Sequence, residues 1–310
     1  MAITKYFVLI CFSLISLSIG FSQGIAAIQI EGSVKICKSK EPSNKAKNLQ
    51  YGPVYDDQKI IISGKNARVK LVKNSGEVCE VLVPGTHYIS SLTFSKPSEN
   101  SFLGQLANYF ISFFESNESS ESKESYKNSI YAISRGELAA PVLDFPMTGK
   151  LPSDFNSIEF SWSHSCDSCW YNLTIYEFDT KVKVFSMLTL KKQFKVQQFL
   201  NYVKPGKKYY WKVEIPGSNL EYEAKRFEIS DKSDYYNQIK SIDNKLKSQQ
   251  LSLQLVPKTL FIQEELLQLD LVNYAVLYGK AQQINNPNNK QLKQLTDAFY
   301  YSQLKNNIGK

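Results

Sequence analysis

In 310 residues there are only two histidines, His87 and His164, and they lie far apart in the chain. A histidine-dependent nucleophile would need one of them beside an activated serine or cysteine and a carboxylate, and no stretch offers that grouping. Glycine-rich phosphate cradles are missing as well, so a nucleotide site of the P-loop or dinucleotide type has no anchor. Cysteine is sparse, with Cys11, Cys37, Cys79, Cys166 and Cys169 making up the five. Cys166, Cys169 and His164 supply three ligands where a structural zinc site needs four. Beyond the amino terminus no run is apolar enough to span a bilayer as a helix. These gaps point away from an enzyme, and no cofactor or metal is expected. Paired catalytic carboxylates stay open, because their spacing is a three-dimensional property.

What is present is a chain built to fold. Hydrophobic residues make up 43% and aromatics 13%, which implies packed cores rather than disorder. Lys5, an apolar run from Tyr6 to Ile19, and Gly20-Phe21-Ser22 before Gln23 have the layout of a secretory signal peptide over 1–22, cut after Ser22. The run is shorter than the ~18–20 residues of a spanning helix, so cleavage is expected rather than a retained anchor. The expectation is an exported protein, periplasmic or secreted, with no transmembrane segment after cleavage. Its net charge of +8 falls by one when Lys5 leaves. The lysines (Lys181, Lys183, Lys191, Lys192, Lys204, Lys207, Lys208) are scattered, which fits a solvated surface and not a nucleic-acid site.

The best-patterned stretch lies between Pro141 and Ser230. Ile158, Phe160 and Trp162 alternate with Ser and Glu, the period of two that a half-buried strand requires. Tyr171, Leu173 and Ile175 alternate next with Asn172, Thr174 and Tyr176. Val182, Val184, Leu188 and Leu190 suggest a third strand, and 194–202 a less regular fourth. Pro205-Gly206 turns into a strand carrying Tyr209, Trp211, Val213 and Ile215 on one side, and 222–229 closes the set. Short strands separated by turn residues argue for an antiparallel sandwich. The pattern Phe160-Ser-Trp162, Tyr171-x-Leu173-x-Ile175 and Pro205-Gly206-x-x-Tyr209-x-Trp211-x-Val213 resembles a fibronectin type III-like (Ig-like) domain of exported bacterial proteins, over 137–230. The resemblance implies that Trp162, Tyr209 and Trp211 are core and corner residues. It fixes no function, since that sandwich serves adhesion, spacing and carbohydrate binding alike.

From Ala26 to about Leu92 the chain is again strand-like. Short alternating runs cover 26–30, 34–36, 59–63 and 67–71, and 78–83 returns as a hairpin after Asn74-Ser-Gly76. Gly32-Ser-Val34, Leu49, Gly52, Lys59-Ile60, Ala67-x-Val69-x-Leu71, Gly76 and Pro84-Gly85 resemble the FecR-like periplasmic domain, over 23–97. Such domains relay or hold partner proteins in the cell envelope, which the resemblance extends to this chain. Without a retained membrane segment, signalling across a membrane is not expected.

Over 98–136 come an amphipathic helix and a linker. Leu103, Leu106, Ala107, Phe110 and Phe114 share one helical face whose opposite side lacks basic residues, so the face should dock on protein rather than on membrane. Residues 117–125, rich in Ser and Glu, should form a flexible connection. Across 231–310 the period changes to that of helices. Four are expected, through Tyr236–Leu246, from Pro257 to Leu267, through Leu271–Ala281, and through Leu292–Ser302, packed as helical hairpins.

Cys166-Asp-Ser-Cys169 is the most chemical-looking motif. A redox pair activates its first thiol at a helix amino terminus, whereas here it caps an expected hairpin, so a structural disulfide is the favoured reading. Four mature cysteines allow three connectivities, of which local pairing demands least. Cys37 and Cys79 are then the second expected disulfide. Their registers differ, since Cys37 points away from Val34 and Ile36 while Cys79 travels with Val81 and Val83.

The sequence thus describes a mainly β protein with carboxy-terminal helices. The expected role is that of an exported, non-enzymatic interaction or structural protein of the cell envelope, its partners being envelope proteins or polymers. Two alternatives stand beside it: a periplasmic regulatory or assembly partner acting through the FecR-like domain, and a thiol–disulfide enzyme using Cys166 and Cys169.

Overall fold

The computed structural model describes residues 24–95, helical pieces of the connector (104, 107, 108, 110–113, 123, 124 and 126–129), and most of 139–306. The expected signal peptide at 1–22 lies outside the described residues, as does most of the expected linker.

Six strands form the amino-terminal sheet: β1 (Ile25–Lys38), β2 (Lys47–Asn48), β3 (Gly52–Val54), β4 (Gln58–Lys73), β5 (Val78–Val81) and β6 (Gly85–Tyr88). Its order is β2-β1-β4-β5, with β3 also on β1 and β6 also on β4. The short runs of the sequence fuse here. Residues 26–30 and 34–36 belong to one strand, and 59–63 and 67–71 to another, paired antiparallel from Ile25 opposite Lys73 to Lys38 opposite Gln58. Gly32 makes the fusion possible. It holds φ 68° beside a register shift, and a Cβ there would stand 2.8 Å from the Ala67 Cα.

The two cysteines of this sheet do not pair; both are buried and free. Cys37 lies opposite Lys59. Cys79 lies opposite Leu71, which in turn faces Ala27, ten positions from Cys37 along β1. That is on the order of 30 Å of strand, against the roughly 4.4–6.8 Å between Cα atoms that a disulfide spans. The expected 37–79 bond is corrected: hairpin topology puts the two residues at opposite ends of one long ribbon.

β1 separates two cores. Ile25 and Ala27 face the sheet's own core with Val34, Ile60, Val69 and Leu71. Ala26 and Ile28 face the other side, with Ala107, Phe110 and Ile111 of the connector. The docking expected for the connector's apolar face is therefore onto this chain's own sheet. A Cβ on Gly104 would come within 3.0 Å of the Gly76 nitrogen, so helix and β4–β5 turn are in close contact. Leu103, Leu106 and Phe114 lie outside the described residues. Lys123 and Glu124, placed by the sequence in the linker, are helical.

The central unit is an Ig/fibronectin III-like sandwich. Its strands are β7 (Val142–Phe145), β8 (Gly149–Leu151), β9 (Ser157–Ser163), β10 (Tyr171–Glu177), β11 (Lys183–Thr189), β12 (Gln193–Gln197), β13 (Lys208–Glu214) and β14 (Lys225–Ile229). Three strands, β12-β9-β7, face five, β11-β10-β13-β14-β8. The first strand is split: β7 belongs to the small sheet, and β8, after Pro146, runs parallel to β14 in the large one. Trp162, Tyr209 and Trp211 are buried between the sheets. The Trp211 ring meets Phe160 edge-on at 5.1 Å, and its Nε1 donates to the Pro146 carbonyl at 3.1 Å. The Tyr209 hydroxyl accepts the Lys204 amide at 2.8 Å, fixing the corner before its own strand.

Helices α1 (Asp234–Ser248), α2 (Leu255–Gln268), α3 (Val272–Asn285) and α4 (Lys290–Asn306) follow. They are more than an appendage, because Leu260, Ile262, Tyr274, Leu292 and Phe299 join the same buried cluster as Trp162 and Trp211. Asn273 at the start of α3 locks the joint. Its side chain accepts the Met147 amide at 2.9 Å and donates to the carbonyls of Met147 (2.9 Å) and Lys150 (3.1 Å), against β8. Gln254, just before α2, does the same for the amino-terminal sheet, accepting the Ile30 amide at 3.1 Å and donating to its carbonyl at 2.8 Å. Its carboxamide thus pairs with β1 as a neighbouring strand would.

Candidate interaction surface

Each chemical-looking group is placed by the sandwich. Cys166 and Cys169 sit at the tip of the β9–β10 connection and are bonded, with Cα atoms 5.7 Å apart. No helix follows to lower a thiol pKa, so the motif has no structural means of activation. The ligand atoms of His164, Cys166 and Cys169 lie within 4.8 Å of one another, but the donor set does not fit a metal. Both sulfurs are bonded to each other. His164 Nε2 donates to the Ala139 carbonyl at 2.8 Å, and Nδ1 accepts the Cys166 amide at 3.3 Å, a tautomer assigned from these bonds. Burial pushes the imidazole below its usual pKa. The group is a staple on a turn. His87 stands apart in β6, its Nε2 beside the Val83 carbonyl at 2.8 Å.

A second cluster was not legible in the sequence. Asp144 on β7 is buried, accepting hydrogen bonds from the Tyr126 hydroxyl and from Ser163 Oγ (2.9 Å). Burial pushes its carboxyl up to about 6, against opposing effects from both hydroxyls and from Lys225 and Lys280. Lys280 lies between the rings of Phe145 and Tyr300, 4.9 and 4.8 Å from their centroids. Burial also raises the Tyr126 and Tyr300 hydroxyls. Both carboxylate oxygens are occupied by groups that belong to packed elements, so the cluster fastens the connector and α4 to the small sheet. The polar face of β9, which the alternation left for solvent, is part of this joint: Ser161 and Ser163 contact Tyr300 and Asp144.

The large sheet carries the exposed chemistry. On its outer face Tyr176 and Tyr210 stack at 5.0 Å with 11° between planes. Arg226 lies over Phe178 at 4.8 Å. A groove of about 430 Å³ runs beside them, lined by Lys150, Lys208, Arg226, Glu228 and the α2–α3 turn at Leu269 and Asp270. At the edge is β11. Leu188 is 50% exposed, Leu190 47%, Met187 41% and the adjoining Val182 57%, and Trp170 at the start of β10 is 51% exposed. The sequence counts Val182, Val184, Leu188 and Leu190 as a third strand. Phe185 and Met187 take the inward side, opposite Ile175 and Leu173, while Leu188 and Leu190 are half exposed and Val184 packs against the core. An apolar edge strand left open is a protein-binding feature or an aggregation hazard.

No family model matches the sequence, and no curated protein matches it. Among solved structures, the crystal structure of FN3tt is similar over 29% of this chain and 98% of its own, at 16% identity and a TM-score of 0.21. The BSP domain of a biofilm-associated protein is similar over 67% of this chain and 45% of its own, at 11% identity and a TM-score of 0.24. Sidekick-1 immunoglobulin domains 1–4 are similar over 67% and 47%, at 9% identity and a TM-score of 0.21. The chain spans less than half the length of the last two. Likenesses this slight carry no argument about function, and the class of the sandwich rests on its strand order and register.

Proposed function

We propose that this protein is an exported, non-enzymatic interaction protein, whose sandwich presents the β11 edge to a protein partner. The observation that carries the reading is that edge: Val182, Leu188, Leu190 and Trp170 are exposed together, while Trp162, Trp211 and Tyr209 are buried. A strand edge with apolar side chains on both sides of its backbone suits β-strand addition, in which main-chain hydrogen bonds supply affinity and side chains supply selectivity. Export is supported by the leader-like segment at 1–22 and by the Cys166–Cys169 bond, which an oxidising compartment maintains. A regulatory or assembly role through the amino-terminal sheet is the second reading, favoured by the exposed Leu82, Val83 and Tyr88 there.

Cross-linked co-purification from the native cell separates these readings. Partners captured by the wild type and lost with Leu188→Lys/Leu190→Lys support the β11 edge. Capture unaffected by that variant but lost with Leu82→Lys/Val83→Lys supports the amino-terminal sheet. For the thiol–disulfide alternative, insulin reduction that disappears with Cys166→Ser/Cys169→Ser would establish an enzyme and overturn the proposal.

A further inference from the structure

The nine residues from Val182 to Leu190 read Val-Lys-Val-Phe-Ser-Met-Leu-Thr-Leu, and their apolar positions mirror one another about Ser186. Laid antiparallel on a second copy of itself, its central stretch from Val184 to Leu188 pairs apolar with apolar about Ser186, while the register shift at Val184 turns Lys183 and Val182 to the faces opposite those of Thr189 and Leu190. Phe185 falls opposite Met187, Val184 opposite Leu188, Lys183 opposite Thr189, and Val182 opposite Leu190. Resting on the reading of the β11 edge as a protein-binding surface, we infer that its occupant is a second copy of this chain, paired through β11 about a twofold axis at Ser186.

Three observations carry the inference. First, β11 ends the large sheet, so one side of its backbone has no strand beside it among the described residues. A twofold pairing there is self-complementary, as a closed dimer requires, and joins two five-stranded sheets into one. Second, the exposed side chains sit at the mirrored positions. Leu188 gains Val184 as an apolar neighbour, and Met187 gains Phe185, which already packs against Phe194 and Tyr202. Third, the devices that would guard this edge are displaced from its centre. Lys183 and the register irregularity beside Ile175 and Tyr176 occupy the strand's first residues. The mirrored register lays them against Thr189 and Leu188 instead of against each other. One like-charge contact remains at each rim, Lys181 opposite Lys191, so pairing should tighten as salt screens it.

A heterologous occupant, such as an extended peptide of another protein, would have no reason to match a mirrored segment. Sedimentation of the purified protein over a range of concentrations tests the proposal. A dimer is expected, weakened at least tenfold by Leu188→Lys/Leu190→Lys with unchanged circular dichroism. Ser186→Cys reports the register without relying on that variant, because Ser186 faces its own counterpart. It should cross-link into dimers under mild oxidation, whereas Val182→Cys, well away from the axis, should not. A wild type that stays monomeric overturns the proposal and leaves the edge-binding reading to its own co-purification test. A dimer that survives the double lysine variant, or one in which Ser186→Cys links no faster than Val182→Cys, overturns it as well.

Discussion

The large sheet has two edges, and the chain treats them in opposite ways. At β8 the edge is closed. Asn273 of α3 takes the Met147 amide and the carbonyls of Met147 and Lys150, and Leu151 is fully buried. At β11 no described element lies alongside, and Leu188 and Leu190 are half exposed. A third open stretch, the gap along β1 between its pairings with β3 and β2, is closed like β8, with the Gln254 carboxamide on Ile30. An edge is a row of unpaired amides and carbonyls, and proteins normally cover it, charge it or shorten it. This chain covers two edges with side-chain amides and leaves apolar side chains on the third. That contrast is the basis of the proposed pairing at β11.

Four experiments break or sharpen that contrast. Asn273→Leu should have the largest effect. It removes the Asn273 bonds to one amide and two carbonyls, and at about 1–3 kcal/mol for each group affected the loss should be about 4 kcal/mol in chemical denaturation. A loss below 1 kcal/mol would mean that the β8 edge is not closed by this residue.

Asp144, at the joint of the small sheet with the connector and α4, should come next. Its folded pKa, pushed up to about 6, stands above the ordinary 3.8, so protonation favours the folded state. Its contribution is present in acid and lost as pH rises through 6. Between pH 7 and pH 4 the wild type should gain about 2 kcal/mol relative to Asp144→Asn, read as the difference between their stability–pH curves. Parallel curves would show that burial does not perturb this carboxyl.

Gln254→Ala should cost about 1–2 kcal/mol, because its bonds to Ile30 are only partly buried. Hydrogen exchange should quicken at the Ile30 amide while the amides of β13 stay protected. Equal quickening in both would mean that the two regions open together.

Leu188→Lys should change folding stability by less than about 0.5 kcal/mol, since an exposed position away from packing tolerates substitution. A large loss would place Leu188 in the core and remove the contrast between the edges.

The sandwich was legible because its strands obey period two with large side chains. Ile158, Phe160 and Trp162, and Tyr209, Trp211 and Val213, announce one buried face each, and the structure puts those faces together. The split first strand was not legible. Asp144 and Pro146 interrupt its apolar pattern, and Asp144 is tolerated only because Tyr126 and Ser163 reach it from elsewhere. Asn273 and Gln254 likewise gave no signal, since an amide's role depends on a backbone group more than a hundred residues away in the chain. At β11 the sequence showed a strand but not which of its faces is buried. The bulge opposite Tyr176 changes the alternation, and period two alone does not say which side is buried.

Local pattern, then, determined the elements: two β units, four carboxy-terminal helices, and a turn stapled by Cys166 and Cys169. Those features depend on neighbours a few residues apart, which the sequence displays directly. Tertiary structure decided the rest. It kept Cys37 and Cys79 apart along one ribbon, joined the helices to the sandwich's buried cluster, and left apolar side chains exposed on the β11 edge. Each of these outcomes depends on which distant segments meet, and that is settled by the packing of whole sheets and helices rather than by any local pattern.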